Sequence, residues 1–143
     1  MIKLDSLLYI TRKYPPQTGG MEKMSYYLSV GLRDRTHRMK LVALAKKQFH
    51  LLWFFPWCCI YTMLFSHKYK TIFLGDGLMC FLGVISKLFA PHTKRVISIM
   101  GLDILYKNPL YQLYLNLFLK HSADLFVCIS RETEQALHKS PVV

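Results

Sequence analysis

The sequence alternates short apolar runs with longer stretches in which apolar residues recur every three or four positions. Five runs have the length of a strand: Leu4 to Ile10, Leu41 to Ala45, Thr71 to Leu74, Arg95 to Met100 and Leu125 to Ile129. Four stretches have a helical period: Met21 to Arg33, Gly77 to Phe89, Pro109 to His121 and Arg131 to His138. Continuously apolar strands separated by helices are typical of a parallel sheet covered on both faces. The pattern predicts an α/β fold, a Rossmann-like three-layer domain, with the basic segment Arg33 to Lys40 as a turn.

Chain length and composition fit one such domain. The 143 residues are 52% hydrophobic and only 19% charged, which permits a sizeable core and excludes wholesale disorder. No internal repeat or linker interrupts the pattern, so residues 1–143 are expected to form a single domain.

The charge is strongly positive. Nineteen Lys and Arg residues against eight Asp and Glu give a formal net charge of +11. Such an excess favours a negatively charged partner, for which a nucleotide, a nucleic acid and an anionic membrane surface are the candidates. Nucleic acid is the least favoured of the three, because the chain has no helix-turn-helix, zinc-finger or RNA-binding signature.

The cysteines favour a reducing compartment. Cys58 and Cys59 are adjacent, while Cys80 and Cys128 lie in apolar runs, so all four are expected to be free thiols. Neither they nor the six scattered histidines show metal-ligand spacing, and no metal site is predicted. The first sixteen residues lack the apolar core and cleavage site of a signal peptide. A cytoplasmic protein is therefore expected.

The apolar segment from Leu51 to Phe65 has two interpretations. Its fifteen residues fall short of the ~20 that span a bilayer as a helix, and Pro56 interrupts it. It is either a helix, or a helix and loop, buried against the sheet, or an interfacial element whose aromatic residues enter the headgroup region. The lysines on both sides of the segment suit the second interpretation.

Four short sequences follow predicted strands, where ligands of open parallel sheets bind. They are Pro15 to Gly20, Gly75 to Gly77, Met100 to Asp103 and Ser130 to Glu132. Gly19 and Gly20 at a helix start allow close approach of a phosphate, although an ordinary turn explains them equally well. Asp76 is a candidate helix cap, slightly preferred over a contact to a sugar hydroxyl, and Ser130 is predicted to be a cap.

Taken in order, these segments resemble the N-terminal domain of family-four glycosyltransferases, which have the GT-B fold. The matching text is R-K-Y-P-P-Q-T-G-G-M-E at Arg12 to Glu22, G-D-G-L at Gly75 to Leu78, M-G-L-D-I at Met100 to Ile104 and A-D-L-F-V-C-I-S-R-E-T at Ala123 to Thr133. The resemblance covers nearly the whole chain.

The resemblance implies transfer of a sugar from a nucleotide-sugar donor to a glycan or a lipid-linked acceptor, with retained anomeric configuration and no further cofactor. It implies that Gly19 and Gly20 lie near the donor's diphosphate and reacting sugar. It also implies that Asp76, Gly101 and Asp103 line the acceptor side. It names no catalytic residue in this chain.

Two departures from the family pattern limit these expectations. Met100 stands where the family usually has a histidine, and a thioether can neither donate a hydrogen bond nor exchange a proton. The sequence also ends where the family's C-terminal, donor-binding domain would begin. This chain is therefore expected to be the acceptor-binding half of an enzyme, inactive alone, with a separate C-terminal chain as partner. It would act in the cytoplasm, peripherally on the inner membrane face. A non-catalytic membrane-surface module and an inactive truncated product remain the alternatives.

Overall fold

A computed structural model describes residues 3–44, 48–99 and 105–139. The strands are β1 Leu4–Thr11, β2 Thr36–Ala43, β3 Thr71–Leu74, β4 Lys94–Ile99 and β5 Leu125–Cys128. The α-helices are α1 Gly20–Asp34, α2 Leu51–Phe65, α3 Cys80–Phe89, α4 Pro109–Ser122 and α5 Arg131–Lys139. Short 3-10 turns cover Gln48–His50, Ser66–Lys68 and Gly77–Met79.

The five strands form one parallel sheet in the order β2-β1-β3-β4-β5. β1 lies between β2 and β3, and its Ile10 is in register with both Val42 and Leu74. The chain therefore moves from β1 to one edge of the sheet, returns past β1 to β3, and continues to the other edge. This is the strand order of a doubly wound α/β fold.

Alternate residues along the strands divide the core between two faces of the sheet. Leu7, Tyr9 and Phe73 point to the face covered by α1, where they pack against Leu28 and Leu32. The opposite face is larger and is covered by α2, α3 and α4, with strand residues Leu8, Ile10, Ile72, Leu74, Ile97 and Ile99 at its centre. The structure confirms the predicted Rossmann-like α/β domain with helices on both faces of a parallel sheet.

The prediction of a turn from Arg33 to Lys40 is wrong for most of that segment. β2 already begins at Thr36 and pairs with β1 from Leu4 onward. β2 is an edge strand, so His37, Arg38 and Lys40 can remain exposed while Val42 is buried. Basic side chains on a sheet edge also discourage pairing with another chain. The polar composition therefore reflected the position of the strand and not a turn.

The apolar segment Leu51–Phe65 forms α2 with Pro56 inside it. Cys58 and Thr62 are buried, and Cys58 belongs to the core cluster that contains the strand residues, whereas Leu52 and Trp53 are largely exposed. The expected helix against the sheet is thus present, but only one side of it is buried. None of the described helices combines the length and apolarity required to cross a bilayer.

Candidate functional site

The candidate site lies at the carboxyl ends of β1 and β3. These strands are neighbours, but the chain leaves β1 for α1 on one face of the sheet and leaves β3 for α3 on the other. In doubly wound folds, connections that diverge in this way leave a crevice between them, and ligands bind there. Residues 12–19 and 75–79 form its two walls.

An ion pair joins the two walls. The Arg12 Nε lies 2.9 Å from the Asp76 Oδ2, with the Asp76 side chain 0% exposed and that of Arg12 17% exposed. A buried carboxylate requires such a counter-charge, because an unpaired charge in the interior is strongly unfavourable. Asp76 therefore fixes the position of the Arg12 guanidinium, which keeps a partly exposed surface at the crevice.

Asp76 does not cap the helix that follows it. Its backbone is extended, and within the part of the chain that the structure describes its side chain makes no capping hydrogen bond to the turn Gly77–Met79. The expectation that Asp76 acts as a cap is wrong, because the carboxylate is turned toward Arg12. Asp76 has no exposed surface, so it can contact an acceptor only after a rearrangement of the side chains that cover it.

Gly75 allows the two walls to approach each other closely. Its N–H donates to the Ile10 carbonyl at 2.8 Å, which continues the β1–β3 pairing past the end of β3. A Cβ at this position would lie 2.6 Å from the Thr11 Oγ1 and 2.7 Å from the Thr11 Cβ. Only glycine fits without displacing β1, and this close approach brings Asp76 to Arg12.

The glycine pair begins α1 at the other side of the crevice. Gly19 has a φ of 150° and precedes the first helical residue, Gly20. The Glu22 carboxylate occupies the space that a Cβ on Gly19 would take, and Glu22 is buried. The Lys13 Nζ lies 3.6 Å from the Glu22 Oε1. Backbone N–H groups, a carboxylate and a cation are therefore grouped at the N-terminus of a fifteen-residue helix.

Polar contacts hold the loop between Arg12 and Gly19 in place. The Gln17 side-chain amide donates to the Leu44 carbonyl at 2.6 Å and to the Arg12 carbonyl at 3.3 Å. The Tyr14 hydroxyl lies 3.0 Å from the Ser29 Oγ on α1, and the Pro15–Pro16 peptide bond is cis. The loop is thus attached both to the end of β2 and to α1, so its conformation is defined by tertiary contacts.

Tyr114 on α4 positions the opposite wall. Its hydroxyl donates to the Leu78 carbonyl at 2.6 Å and accepts from the Phe81 N–H at 3.2 Å. Burial, together with the neighbouring Cys80, raises the pKa of Tyr114 well above the ordinary value for a tyrosine. The hydroxyl therefore stays protonated and connects α4 to the turn that follows Asp76 and to the start of α3.

Two further ionisable groups below the crevice are neutral at neutral pH. Burial raises the pKa of Tyr9 to about 12 and that of Cys80 to about 12. Neither group is therefore a nucleophile or a base in this state. In the described ranges no group of three His, Cys, Asp or Glu side chains is placed to hold a metal ion.

The other predicted site residues fall into two groups. Gly101 and Asp103, like Met100, lie outside the described residues, so their assignment to the acceptor side stays a prediction. The cap at Ser130 is confirmed, because its Oγ accepts from the Thr133 N–H at 3.1 Å at the start of α5.

Three residues of the site did not emerge from the sequence: Arg12, Glu22 and Tyr114. Arg12 and Glu22 belong to the segment that carries the family resemblance. Arg12 could have been identified as a site residue because it is a basic residue directly after a strand. Tyr114 gave no such signal, because it lies inside the predicted helix Pro109 to His121 and follows no strand.

The chain matches no protein-family model and no curated protein sequence. The structure assigns the protein to a fold class: it is a Rossmann-like α/β domain with a polar crevice at the β1–β3 switch point.

Proposed function

We propose that this chain is the acceptor-binding half of a nucleotide-sugar-dependent retaining glycosyltransferase, which transfers a sugar to a glycan or a lipid-linked acceptor. The observation that carries the proposal is the meeting of two walls at one switch point, where the wall with Arg12 and the Gly19–Gly20 helix start is joined by the Arg12–Asp76 ion pair to the wall with Asp76. Both walls come from segments that resemble those of family-four enzymes.

The geometry of the glycine pair suits a diphosphate. The first N–H groups of α1 have no partner within the helix, and the helix dipole places partial positive charge there. Glu22 adds a negative charge beside Gly19, and Lys13 offsets it at 3.6 Å. Arg12 brings a second cation to the same crevice, but Asp76 balances its charge, so the positive potential comes from the start of α1. That partial positive charge near the reacting sugar would stabilise the diphosphate as it leaves.

In this proposal the nucleotide itself is held elsewhere. The donor's base and ribose would bind a second Rossmann-like domain that faces the carboxyl edge of this sheet. Asp76, Gly101 and Asp103 would serve the acceptor, with Asp76 acting through the Arg12 that it positions. A cytoplasmic location is part of the proposal, and it is supported by four cysteines that are all unpaired.

The test of donor contact uses the isotope-labelled chain and measures amide chemical shifts. Uridine-, guanosine- and adenosine-diphosphate sugars are added in turn at millimolar concentration. We expect at least one of them to shift the Gly19 and Gly20 signals. Gly19→Ala should abolish the shift, because a Cβ there meets the Glu22 carboxylate and the backbone conformation disfavours any other residue.

The matched control is Gly31→Ala, at a site on the same helix where a Cβ meets no atom within 4 Å. This variant should keep the response to the nucleotide sugar. If no compound in the panel moves the Gly19 and Gly20 signals, or if Gly31→Ala abolishes the response equally, donor contact at this loop is contradicted. Sugar transfer is then assayed after mixing with candidate donor-domain chains, using glycan and lipid-extract acceptors separately.

A further inference from the structure

Helix α2 presents large apolar side chains to the outside. Trp53, Trp57, Ile60 and Leu64 are all exposed, with Trp53 79% exposed. They recur at four, three and four residues, so they lie along one side of the helix. Single exposed apolar residues are ordinary on a protein surface, but a continuous stripe of them marks an interaction surface.

The same layer carries further exposed apolar residues. α3 packs between α2 and α4. Leu88 is exposed at the end of α3, and Leu110, Leu113 and Leu117 are exposed along α4. We call the exposed surface of α2, α3 and α4 the outer helical face. It is the opposite side of the domain from α1.

The outer helical face carries positive and no negative charge. α2, α3 and α4 together contain no Asp or Glu, whereas α1 and α5 contain Glu22, Asp34, Glu132 and Glu134. The lysines on the outer helical face or at its ends are exposed: Lys68, Lys87, Lys107 and Lys120. The Lys68 ammonium lies 4.8 Å from the centre of the Phe65 ring at the end of α2. Apolar and cationic groups are therefore adjacent.

We propose that the outer helical face docks on the surface of an anionic lipid bilayer. A helix of fifteen residues is about 22 Å long, which is short of the ~30 Å hydrocarbon core, so α2 would lie in the plane of the interface. The tryptophans enter the headgroup boundary and the lysines meet anionic headgroups.

A second copy of this chain suits the face poorly, because two surfaces with only positive charge repel each other. This inference stands whether or not the chain takes part in sugar transfer.

Both tryptophans of the chain are on α2, so docking can be followed without a label. The full chain is titrated with vesicles of phosphatidylcholine alone and with vesicles containing three parts in ten of phosphatidylglycerol. We expect a blue shift of tryptophan emission and co-sedimentation with the anionic vesicles. Binding to them should be at least about tenfold tighter than to neutral vesicles, and it should weaken as salt is raised.

Paired variants separate the docking face from general effects of composition. Trp53→Ser with Trp57→Ser should lower co-sedimentation about tenfold, whereas Tyr26→Ser with Tyr27→Ser, two exposed residues on α1, should leave it unchanged. Lys68→Glu with Lys107→Glu should weaken binding by about tenfold or more. Lys23→Glu with Arg33→Glu makes the same charge change on α1 and should have a much smaller effect. Circular dichroism confirms that each variant is folded.

Three results would overturn the proposal. The first is equal binding to neutral and anionic vesicles, and the second is an equal loss in the α1 controls. The third is self-association in the ultracentrifuge that the tryptophan variants abolish while no vesicle is bound, which would assign the outer helical face to a second copy of the chain.

Discussion

At the scale of single residues, two glycines shape the crevice for different reasons. Gly19 has a positive φ, and the Glu22 carboxylate occupies the space that a Cβ on it would need. Gly75 has an ordinary φ, but β1 leaves no space for a side chain beside it. The first glycine sets the start of α1, while the second sets the distance between the walls and hence the Arg12–Asp76 ion pair.

We expect Gly75→Ala to destabilise the fold. Its Cβ would lie 2.6 Å from the Thr11 Oγ1 and 3.2 Å from the Thr11 Cα, so the backbone of β1 or β3 must shift. Overpacking of this kind costs about 1–3 kcal/mol in the free energy of unfolding, which urea denaturation can measure. Gly31→Ala is the control and should raise stability by about 0.5–1 kcal/mol, because its Cβ is unobstructed within a helix. A neutral Gly75→Ala would show that the walls are less closely packed than described.

At the scale of elements, an ion pair connects β4 to the start of β5. The Arg95 backbone N–H donates to the Asp124 Oδ2 at 2.9 Å, and the Arg95 Nη2 donates to the Asp124 Oδ1 at 3.2 Å. Burial by itself raises the pKa of Asp124, but the hydrogen bonds and the charge of Arg95 outweigh it and hold the pKa below 3.8. The ionised carboxylate is thus favoured by folding.

Asp124→Asn should lower stability at neutral pH and lose its effect in acid. Because the folded pKa lies below the unfolded value of 3.8, the stabilisation is complete above that value and disappears as the pH falls through the folded pKa. Asp124 is half exposed, so solvent screening limits the loss at pH 7 to about 1 kcal/mol. Urea midpoints of both chains, measured from pH 7 to pH 3, should move toward each other at the acid end. A difference that grows in acid would contradict this role for Asp124.

The elements also differ in how well local sequence predicts them. The Asn108 side chain accepts from the N–H groups of Leu110 and Tyr111, and Pro109 begins α4, so that helix starts where sequence rules place it. β2 was missed over Thr36–Lys40, because an edge strand can keep basic residues exposed. The pairing partner that makes this segment a strand lies about thirty residues earlier in the chain.

At the scale of the whole molecule, the four cysteines differ in how deeply they are buried. All four are unpaired; Cys58 and Cys80 are buried, whereas Cys59 and Cys128 are half-buried. Burial raises the pKa of Cys58 to about 12 and that of Cys80 to about 12. Both buried thiols belong to the core between the sheet and the outer helical face. The rate at which they react with a thiol reagent therefore measures how tightly that core is packed.

Reaction with a thiol reagent at pH 8 should therefore occur in two stages. Cys59 and Cys128 should react first, and Cys58 and Cys80 only as fast as the molecule opens, because thiolate is the reactive form and both are protonated and enclosed. Mass spectrometry after limited labelling identifies the sites, and labelling in guanidinium should count four thiols. Equal rates for all four in the native protein would be incompatible with the described core.

Much of the candidate site depended on contacts that no local pattern contains. The glycine pair was visible because glycines before a helical period mark a turn. The role of Asp76 was not, since its partner Arg12 is 64 residues away along the chain and becomes adjacent only when β1 pairs with β3. Tyr114 reaches the same wall from α4, 36 residues beyond Leu78.

The sequence by itself determined the fold class, the positions of most strands and helices, and the glycine pair at the start of α1. These follow from periodicity and turn chemistry, which act over a few residues. Only the tertiary structure decided that β2 is an edge strand, that Asp76 is buried against Arg12, and that one side of α2 is exposed on a face free of acidic residues. Those properties depend on which distant segments become neighbours in the fold, because the neighbours of a residue in space determine its burial and its charge pairing.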